Sequence, residues 1–263
     1  MRGILPMALV VLAFAAPALV RAQTGDQAAG KNTEQARAAL NAMVQALGGQ
    51  AWLNIKNQMV EEQVAAFFQG QPDLGTTLIW DYHQWPDRDR IEETKHRDAD
   101  EIFIGNQGWE VTYRGRQQLP KDQAADFLRR RDHSIETAVK VWMKDPRTLL
   151  LYEGPHLVER QLGVQVTLIS ADNQTITIVM DEDTHLPLSQ EFQWRDPVYH
   201  DLDTDTEEYA DYHTIDGIPT PFSVTRFENG QMTRQYFVVR AAYNQTLPPD
   251  FWSVDAVARR VER

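Results

Sequence analysis

The feature that most constrains this fold is a long succession of strand-like segments joined by very short turns. Residues 148–242 are almost entirely strand and turn by residue pattern. Asp216-Gly217 and Asn229-Gly230 are strong hairpin signals, because both dipeptides readily adopt the positive φ angles of tight turns. Turns this short cannot carry the chain back for parallel pairing, so neighbouring strands must run antiparallel. The sequence therefore predicts a mainly β protein.

One predicted helical segment precedes the strands, and a second interrupts them. A first helix is predicted from Asn32 or Thr33 to about Leu47, followed by the helix-terminating pair Gly48-Gly49. A helical insertion is predicted at about residues 121–145. Its amphipathic stripe has the spacing of one helix face and consists of Ile135, Ala138, Val139, Trp142 and Met143.

A single sheet of about ten strands must curl, and its concave face needs a cover. The two helical segments are the candidates for that cover. The predicted architecture is therefore a single large antiparallel sheet, curled into an unclosed half-barrel, with helices covering the concave face. Such a fold leaves room for an apolar cavity beneath the helices.

The first residues are predicted to stand outside this domain. Residues 1–22 combine a basic start at Arg2, an apolar stretch and small residues before Gln23, which is typical of a secretory signal peptide. The alternative is a membrane anchor, although the stretch is short for the roughly 20 residues that span a bilayer. Residues 23–32 are predicted as a flexible N-terminus and residues 33–263 as one domain. We expect an exported protein, located in the periplasm if the cell is Gram-negative.

Charge and cysteine content exclude several classes of function. The chain has 26 basic and 38 acidic residues, a net charge of −12. A nucleic-acid-binding protein needs a basic surface, so no nucleic-acid partner is expected. There is no cysteine, which excludes a disulfide, a thiolate nucleophile and a cysteine metal site.

Several segments resemble the periplasmic lipoprotein-carrier superfamily, which has the LolA-like fold and includes outer-membrane lipoprotein-sorting proteins. The resemblance lies in residues 46–56, 86–92, 105–109, 181–187 and 212–221, and in Asn229-Gly230. It implies an unclosed barrel with helices in its mouth that binds acyl chains or apolar peptides and is not an enzyme. It also implies that Arg90 lies inside the cavity and hydrogen-bonds the lid, with Arg88 as its neighbour. The alternative for Arg90 is a solvated arginine paired with Asp89 or Glu92.

Aromatic residues at alternating strand positions are the candidates for the cavity wall. Together with the arginine, the predicted ligand-cavity residues are Trp80, Tyr82, Arg90, Trp109, Tyr113, Phe192 and Trp194. The predicted lid residues are Ile135, Val139 and Trp142. The alternative is that these aromatic residues form ordinary core beneath the helices.

Candidates for chemistry are few. The acidic run from Asp201 to Glu208 resembles the opening of a calcium loop, but Thr206 and Tyr212 replace the required glycine and glutamate. A solvated acidic loop is the alternative. The histidines lack metal-ligand spacing. We therefore predict no catalytic residues, no metal and no cofactor.

These observations favour a carrier or binding protein that transports a lipid, an acyl chain or a lipoprotein, with a role in outer-membrane biogenesis. Its expected partners are that lipid or lipidated polypeptide and membrane-associated transfer proteins. The alternative is a sensor or interaction module that binds a peptide or protein, and a hydrolase is less favoured.

Overall fold

The structure is a computed structural model that describes residues 18–261. Most of the predicted signal peptide, residues 1–17, lies outside the described residues. The helices are α1 (Ala18–Ala46), α2 (Gln50–Leu53), α3 (Lys121–Asp132), α4 (Ile135–Lys140) and α5 (Val254–Val261), with a 3-10 turn at Trp142–Lys144. Helix α1 begins earlier than predicted, so the residues expected to form a flexible N-terminus are helical.

The strands come in two runs separated by α3 and α4. The first run is β1 (Asn57–Phe68), β2 (Gln71–Gln84), β3 (Arg88–Glu93), β4 (Ala99–Ile104), β5 (Gln107–Thr112) and β6 (Gly115–Gln118). The second run is β7 (Leu149–Val158), β8 (Gln161–Ile169), β9 (Thr175–Asp181), β10 (Pro187–Arg195), β11 (Leu202–Ile215), β12 (Ile218–Glu228) and β13 (Gln231–Tyr243).

All these strands form one antiparallel sheet, as the sequence predicted. The order is β6-β5-β4-β3-β2-β1-β13-β12-β11-β10-β9-β8-β7, with β6 and β7 at the two open edges. The chain leaves one edge after β6 and enters the opposite edge at β7. The segment that carries α3 and α4 must therefore cross the whole width of the sheet, which is why it covers one face.

Contacts of α3 show that this face is concave. Phe127 stacks on Phe103 of β4 with ring centroids 3.8 Å apart, and the guanidinium of Arg129 lies 3.4 Å from the ring centroid of Trp194 in β10. In a flat sheet the seven steps from β4 to β10 would cover about 34 Å. Two residues on one helix can contact both strands only because the sheet curls around them. The predicted half-barrel with helices over its concave face is confirmed.

Each face of the sheet has its own hydrophobic cover. On the concave face, α1 and α4 pack against β7, β8 and β9, with Leu40, Met43 and Val139 in the core. On the convex face, α5 packs against Ile102 and Val111. The segment before α5 adds Phe251 and Trp252, which pack against β1 and β2. The sequence analysis did not predict α5 or this second cover.

Helix α1 ends where Gly48 docks against the turn between β11 and β12. The φ angle of Gly48 is +112°, and a Cβ atom there would lie 2.9 Å from the carbonyl oxygen of Gly217. Only glycine accommodates both the left-handed backbone and this close approach. The turn therefore directs α2 and the following residues towards the start of β1, where they form one wall of a cavity.

Candidate functional site

The candidate site is a cavity of about 1080 Å³ between α1, α2, α4 and the sheet ends of β1 and β2. This volume is slightly above the roughly 300–1,000 Å³ range of small-molecule sites. The lining residues are Arg37, Asn41, Val44, Gln50, Leu53, Asn54, Ile55, Lys56, Asn57, Gln84, Trp85, Val139, Lys140, Met143 and Lys144. The cavity is thus bounded by the lid on one side and by the helix α1 on the other.

The inner wall of the cavity is apolar. Val44 and Val139 are buried in the core that joins α1 and α4 to the sheet, and Ile55 is also buried. Leu53 and Met143 pack partly against the same core. Because these side chains line the cavity and extend the core at the same time, the wall is both hydrophobic and held in place.

The rim of the cavity is basic. Four lining residues carry a positive charge, namely Arg37, Lys56, Lys140 and Lys144, and none of the lining residues is acidic. Arg37 donates a 3.4 Å hydrogen bond to the carbonyl oxygen of Met143, and Lys140 donates one of 3.4 Å to the carbonyl oxygen of Ile55. In a chain with a net charge of −12, this concentration of cations is a local exception.

A buried cluster centred on Asp89 ties the lid to the sheet beside the cavity. His83 Nδ1 lies 2.6 Å from Asp89 Oδ1, and its Nε2 lies 3.3 Å from Glu136 Oε2 in α4. Arg131 of α3 donates to Asp89 Oδ2 at 3.1 Å and to the carbonyl oxygen of Gly105 at 2.9 Å. Burial lowers the pKa of His83, but its bonds to Asp89 and Glu136 outweigh burial and raise it to about 10. The imidazolium is therefore charged at neutral pH and holds both α4 and β3.

The middle of the concave face is more polar than the sequence suggested. Glu207 accepts hydrogen bonds from Arg226 at 2.7 and 3.1 Å and one from Gln190 at 3.0 Å. Burial raises the pKa of Glu62 to about 8, with a further contribution from the charge of Asp81. Burial and the nearby Asp89 raise the pKa of Asp81 itself to about 7. Charged groups share this part of the sheet with two tyrosine rings: Tyr209 donates to Glu207 at 2.9 Å, and the Arg226 guanidinium lies 5.3 Å from the ring centroid of Tyr236.

Comparison with known proteins decides the fold. No protein-family model matches the sequence, and no curated protein matches it significantly. Among the solved structures that are similar to this chain, three are matched over nearly their whole length. A domain assigned to outer membrane lipoprotein sorting from Vibrio parahaemolyticus has a TM-score of 0.56 and 9% identity, and the match covers 85% of this chain and 100% of that one. A DUF1329 family protein from Desulfovibrio piger has a TM-score of 0.58 and 12% identity, with 84% of this chain and 98% of that one covered. A LolA superfamily protein from Nitrosomonas europaea has a TM-score of 0.54 and 11% identity, with 83% of this chain and 97% of that one covered.

This chain has the LolA-like fold. At these identities the likeness concerns the architecture alone, and the predicted roles of individual residues have to be judged on the structure.

The predicted cavity residues of the LolA-like fold do not come together in this structure. Register pairing places Tyr82, Arg90, Ile102 and Trp109 side by side on the convex face, and Trp80 lies on the same face. Phe192 and Trp194 lie on the concave face, where Trp194 donates to Asp205 Oδ2 at 2.9 Å. Tyr113 is 70% exposed in the turn between β5 and β6.

The position of Arg90 corrects the expectation drawn from the resemblance. Arg90 is fully buried on the convex face, away from the lid. Its Nε donates to Asp100 Oδ1 at 2.8 Å, its Nη2 lies 2.6 Å from Glu92 Oε1, and its Nη1 donates to the carbonyl oxygen of Phe251 at 2.9 Å. Arg90 thus anchors the C-terminal segment. Along β3 the neighbouring side chain points to the opposite face, so Asp89 is the residue that reaches the lid.

The predicted lid residues do lie over the concave face. The backbone N–H of Ile135 donates to Gln190 Oε1 at 3.0 Å. Val139 lines the cavity and is buried in the core, and Trp142 contacts His133 edge-on with ring centroids 5.5 Å apart. The residues that sequence reasoning missed are those after Gly49, where Leu53, Ile55 and Lys56 form the far wall. Their signal was the apolar turn that follows the helix.

The acidic run from Asp201 to Glu208 is neither a calcium loop nor a solvated loop. Leu202 begins β11, so Asp203, Asp205 and Glu207 point to the concave face and the residues between them point away. Among residues 18–261, no group of three or more His, Asp or Glu side chains is arranged to hold a metal ion. Within the same residues, no helix has both the length and the hydropathy needed to span a membrane.

Proposed function

We propose that this protein is an exported carrier that holds one amphiphilic molecule, a lipid or the acyl part of a lipidated polypeptide, in the cavity between α1 and α4. The observation that carries the proposal is the cavity itself, which has an apolar patch on its inner wall, polar residues over the rest of its lining and an open rim. Binding of an acyl chain would gain about 0.8 kcal/mol for each CH₂ group removed from water. No covalent chemistry is needed.

The lid supports this proposal because part of its attachment is polar and local, beside the apolar packing of α4 against the core. Helices α3 and α4 reach the sheet beside the cavity through Arg131 and Glu136, which meet Asp89 and His83. Such contacts define one closed position of the lid, and a ligand that favours a displaced lid would shift the population towards it. Export, and delivery between membranes, are parts of the same proposal.

Filling the cavity tests the proposal. Met143→Trp places a larger ring at the cavity wall, so we expect the affinity for a fluorescent fatty acid to fall at least tenfold. Val141→Trp is the matched control, since Val141 belongs to the same segment, is 48% exposed and is not a lining residue. Fluorescence titration of both variants and the unchanged protein measures the effect. Equal affinity in all three, or no binding by the unchanged protein, would contradict the proposal.

A further inference from the structure

The positive charge at the rim of the cavity indicates which kind of polar group its ligand carries. The apolar wall accounts for an acyl chain, but it does not explain why Arg37, Lys56, Lys140 and Lys144 surround it without an acidic residue. The lining residues therefore carry a positive charge, opposite in sign to the net charge of the whole chain.

Three of these cations are free of carboxylate partners. In the described part of the chain, Arg37, Lys56 and Lys144 form no ion pair with an acidic side chain, whereas Lys140 is paired with Glu136. The basic run of α3 behaves differently. Arg129 and Arg130 are paired with Asp126, and Arg131 with Asp89. The cavity therefore carries three cations without a carboxylate partner, whereas each of the three arginines of α3 is paired with a carboxylate.

The existing hydrogen bond of Arg37 is weak enough to be replaced. This 3.4 Å bond goes to the neutral carbonyl oxygen of Met143 and is longer than the usual 2.7–3.2 Å range for N–H donors. An anionic oxygen would give shorter and stronger charge-assisted bonds. A planar guanidinium from α1 and flexible ammonium groups from the start of β1 and from the 3-10 turn would converge on such a group from different sides.

From this arrangement we infer that the cavity selects amphiphiles with an anionic headgroup, a phosphate or a carboxylate, and that Arg37, Lys56 and Lys144 bind that headgroup. The inference rests on the proposed carrier function and adds the chemical class of its ligand. The acyl chain lies against the apolar wall, and the anion lies at the rim. Lys140 adds positive charge at the cavity, but it is paired with Glu136, so it is not one of the three residues assigned to the headgroup.

Binding of matched single-chain lipids tests the inference. The probes are palmitoyl lysophosphatidylglycerol, which carries one negative charge, and monopalmitoylglycerol, which is neutral, both below their micelle concentrations. Glycerol phosphate provides the headgroup chemistry without the chain. The protein is expressed from the full chain with its own leader, and binding is measured by calorimetry at low salt. We expect the anionic lipid to bind at least tenfold more tightly than the neutral lipid, and glycerol phosphate to bind far more weakly than either.

A triple variant identifies the responsible residues. Arg37→Gln, Lys56→Gln and Lys144→Gln together should reduce the preference for the anionic lipid to about one, with the affinity for the neutral lipid unchanged. The control combines Lys95→Gln, Lys121→Gln and Arg160→Gln, which remove the same charge outside the cavity and should preserve the preference.

Each failure has its own meaning. Equal affinity of the unchanged protein for both lipids, or a preference that survives in the triple variant, would overturn the inference and leave the carrier function standing. Glycerol phosphate binding as tightly as the anionic lipid would overturn the role of the acyl chain. Absence of binding by any lipid would remove the carrier function as well.

Discussion

At the scale of single residues, alternation along β3 separates two different tasks. Asp89 faces the concave side and connects the lid to His83, whereas Arg90 faces the convex side and connects Glu92, Asp100 and the C-terminal segment. A one-residue step in a strand reverses the direction of the side chain. Asp89, which holds the lid, and Arg90, which anchors the C-terminal segment, are therefore adjacent in sequence but lie on opposite faces of the sheet.

Replacement of Arg90 should be costly for stability. Arg90→Leu leaves the buried carboxylates of Glu92 and Asp100 without their main partner, and burial already raises the pKa of Asp100 to about 6. Breaking one side of a buried ion pair typically costs about 3–5 kcal/mol, and we expect a loss of that size in urea unfolding. The control is Arg88→Leu, an exposed arginine two residues earlier on the same face. A loss below about 1 kcal/mol for Arg90→Leu would show that the cluster is not the anchor described above.

Glu62 should make the protein less stable as the pH rises. Its pKa is raised from 4.5 in the unfolded chain to about 8 in the fold, so the folded form holds a proton that the unfolded form has released. Stability attributable to this group is complete below about pH 4.5 and is lost as the pH rises to about 8. Glu62→Gln removes the effect and should stabilise the fold at pH 8 by an amount on the order of 2–4 kcal/mol, with little change at pH 4.

Urea unfolding at pH 4 and pH 8 measures this difference. The neighbouring Glu61→Gln is the control, because the side chain of Glu61 points to the convex face. An equal effect of Glu62→Gln at both pH values would mean that folding leaves the pKa of Glu62 unshifted, which contradicts this account.

At the scale of elements, short turns made the antiparallel sheet predictable, and periodicity made α1 and α4 predictable. The alternation of apolar residues along a strand could not indicate which of its side chains face the concave side, because apolar packing covers both faces of this sheet. The aromatic set of Trp80, Tyr82 and Trp109 was assigned to the cavity since α5 was missed. Its signal is present in the sequence, where Val254, Val257, Ala258 and Val261 have the spacing of one helix face.

Loosening α5 should affect β4–β6 selectively. Val257 is buried against Ile102 and Val111. Val257→Ser weakens this contact, so we expect the amide hydrogen-exchange protection of β4, β5 and β6 to fall while that of β7–β9 beneath α1 is kept. Arg259→Ser, an exposed change on the same helix, is the control. Uniform loss of protection over the whole sheet would mean that α5 stabilises the fold globally rather than this edge.

At the scale of the whole molecule, topology explains where the cavity is. Because β6 and β7 are the two open edges, the chain between them has to cross the concave face, and its helices meet α1 near the start of β1. The resemblance of short segments to carrier proteins predicted this architecture. The wall residues depend on packing between distant elements, such as Val44 with Val139, which local sequence patterns do not reveal.

The most direct test of the carrier account is the mass of the protein as purified from its own cell. The protein is isolated under native conditions, weighed intact by mass spectrometry and then extracted with organic solvent to identify what was bound. The account predicts one acyl-chain-containing molecule per chain, carrying an anionic headgroup, and loss of that mass in Met143→Trp but not in Val141→Trp. A protein that is empty in every preparation, and that takes up no added lipid, would contradict it.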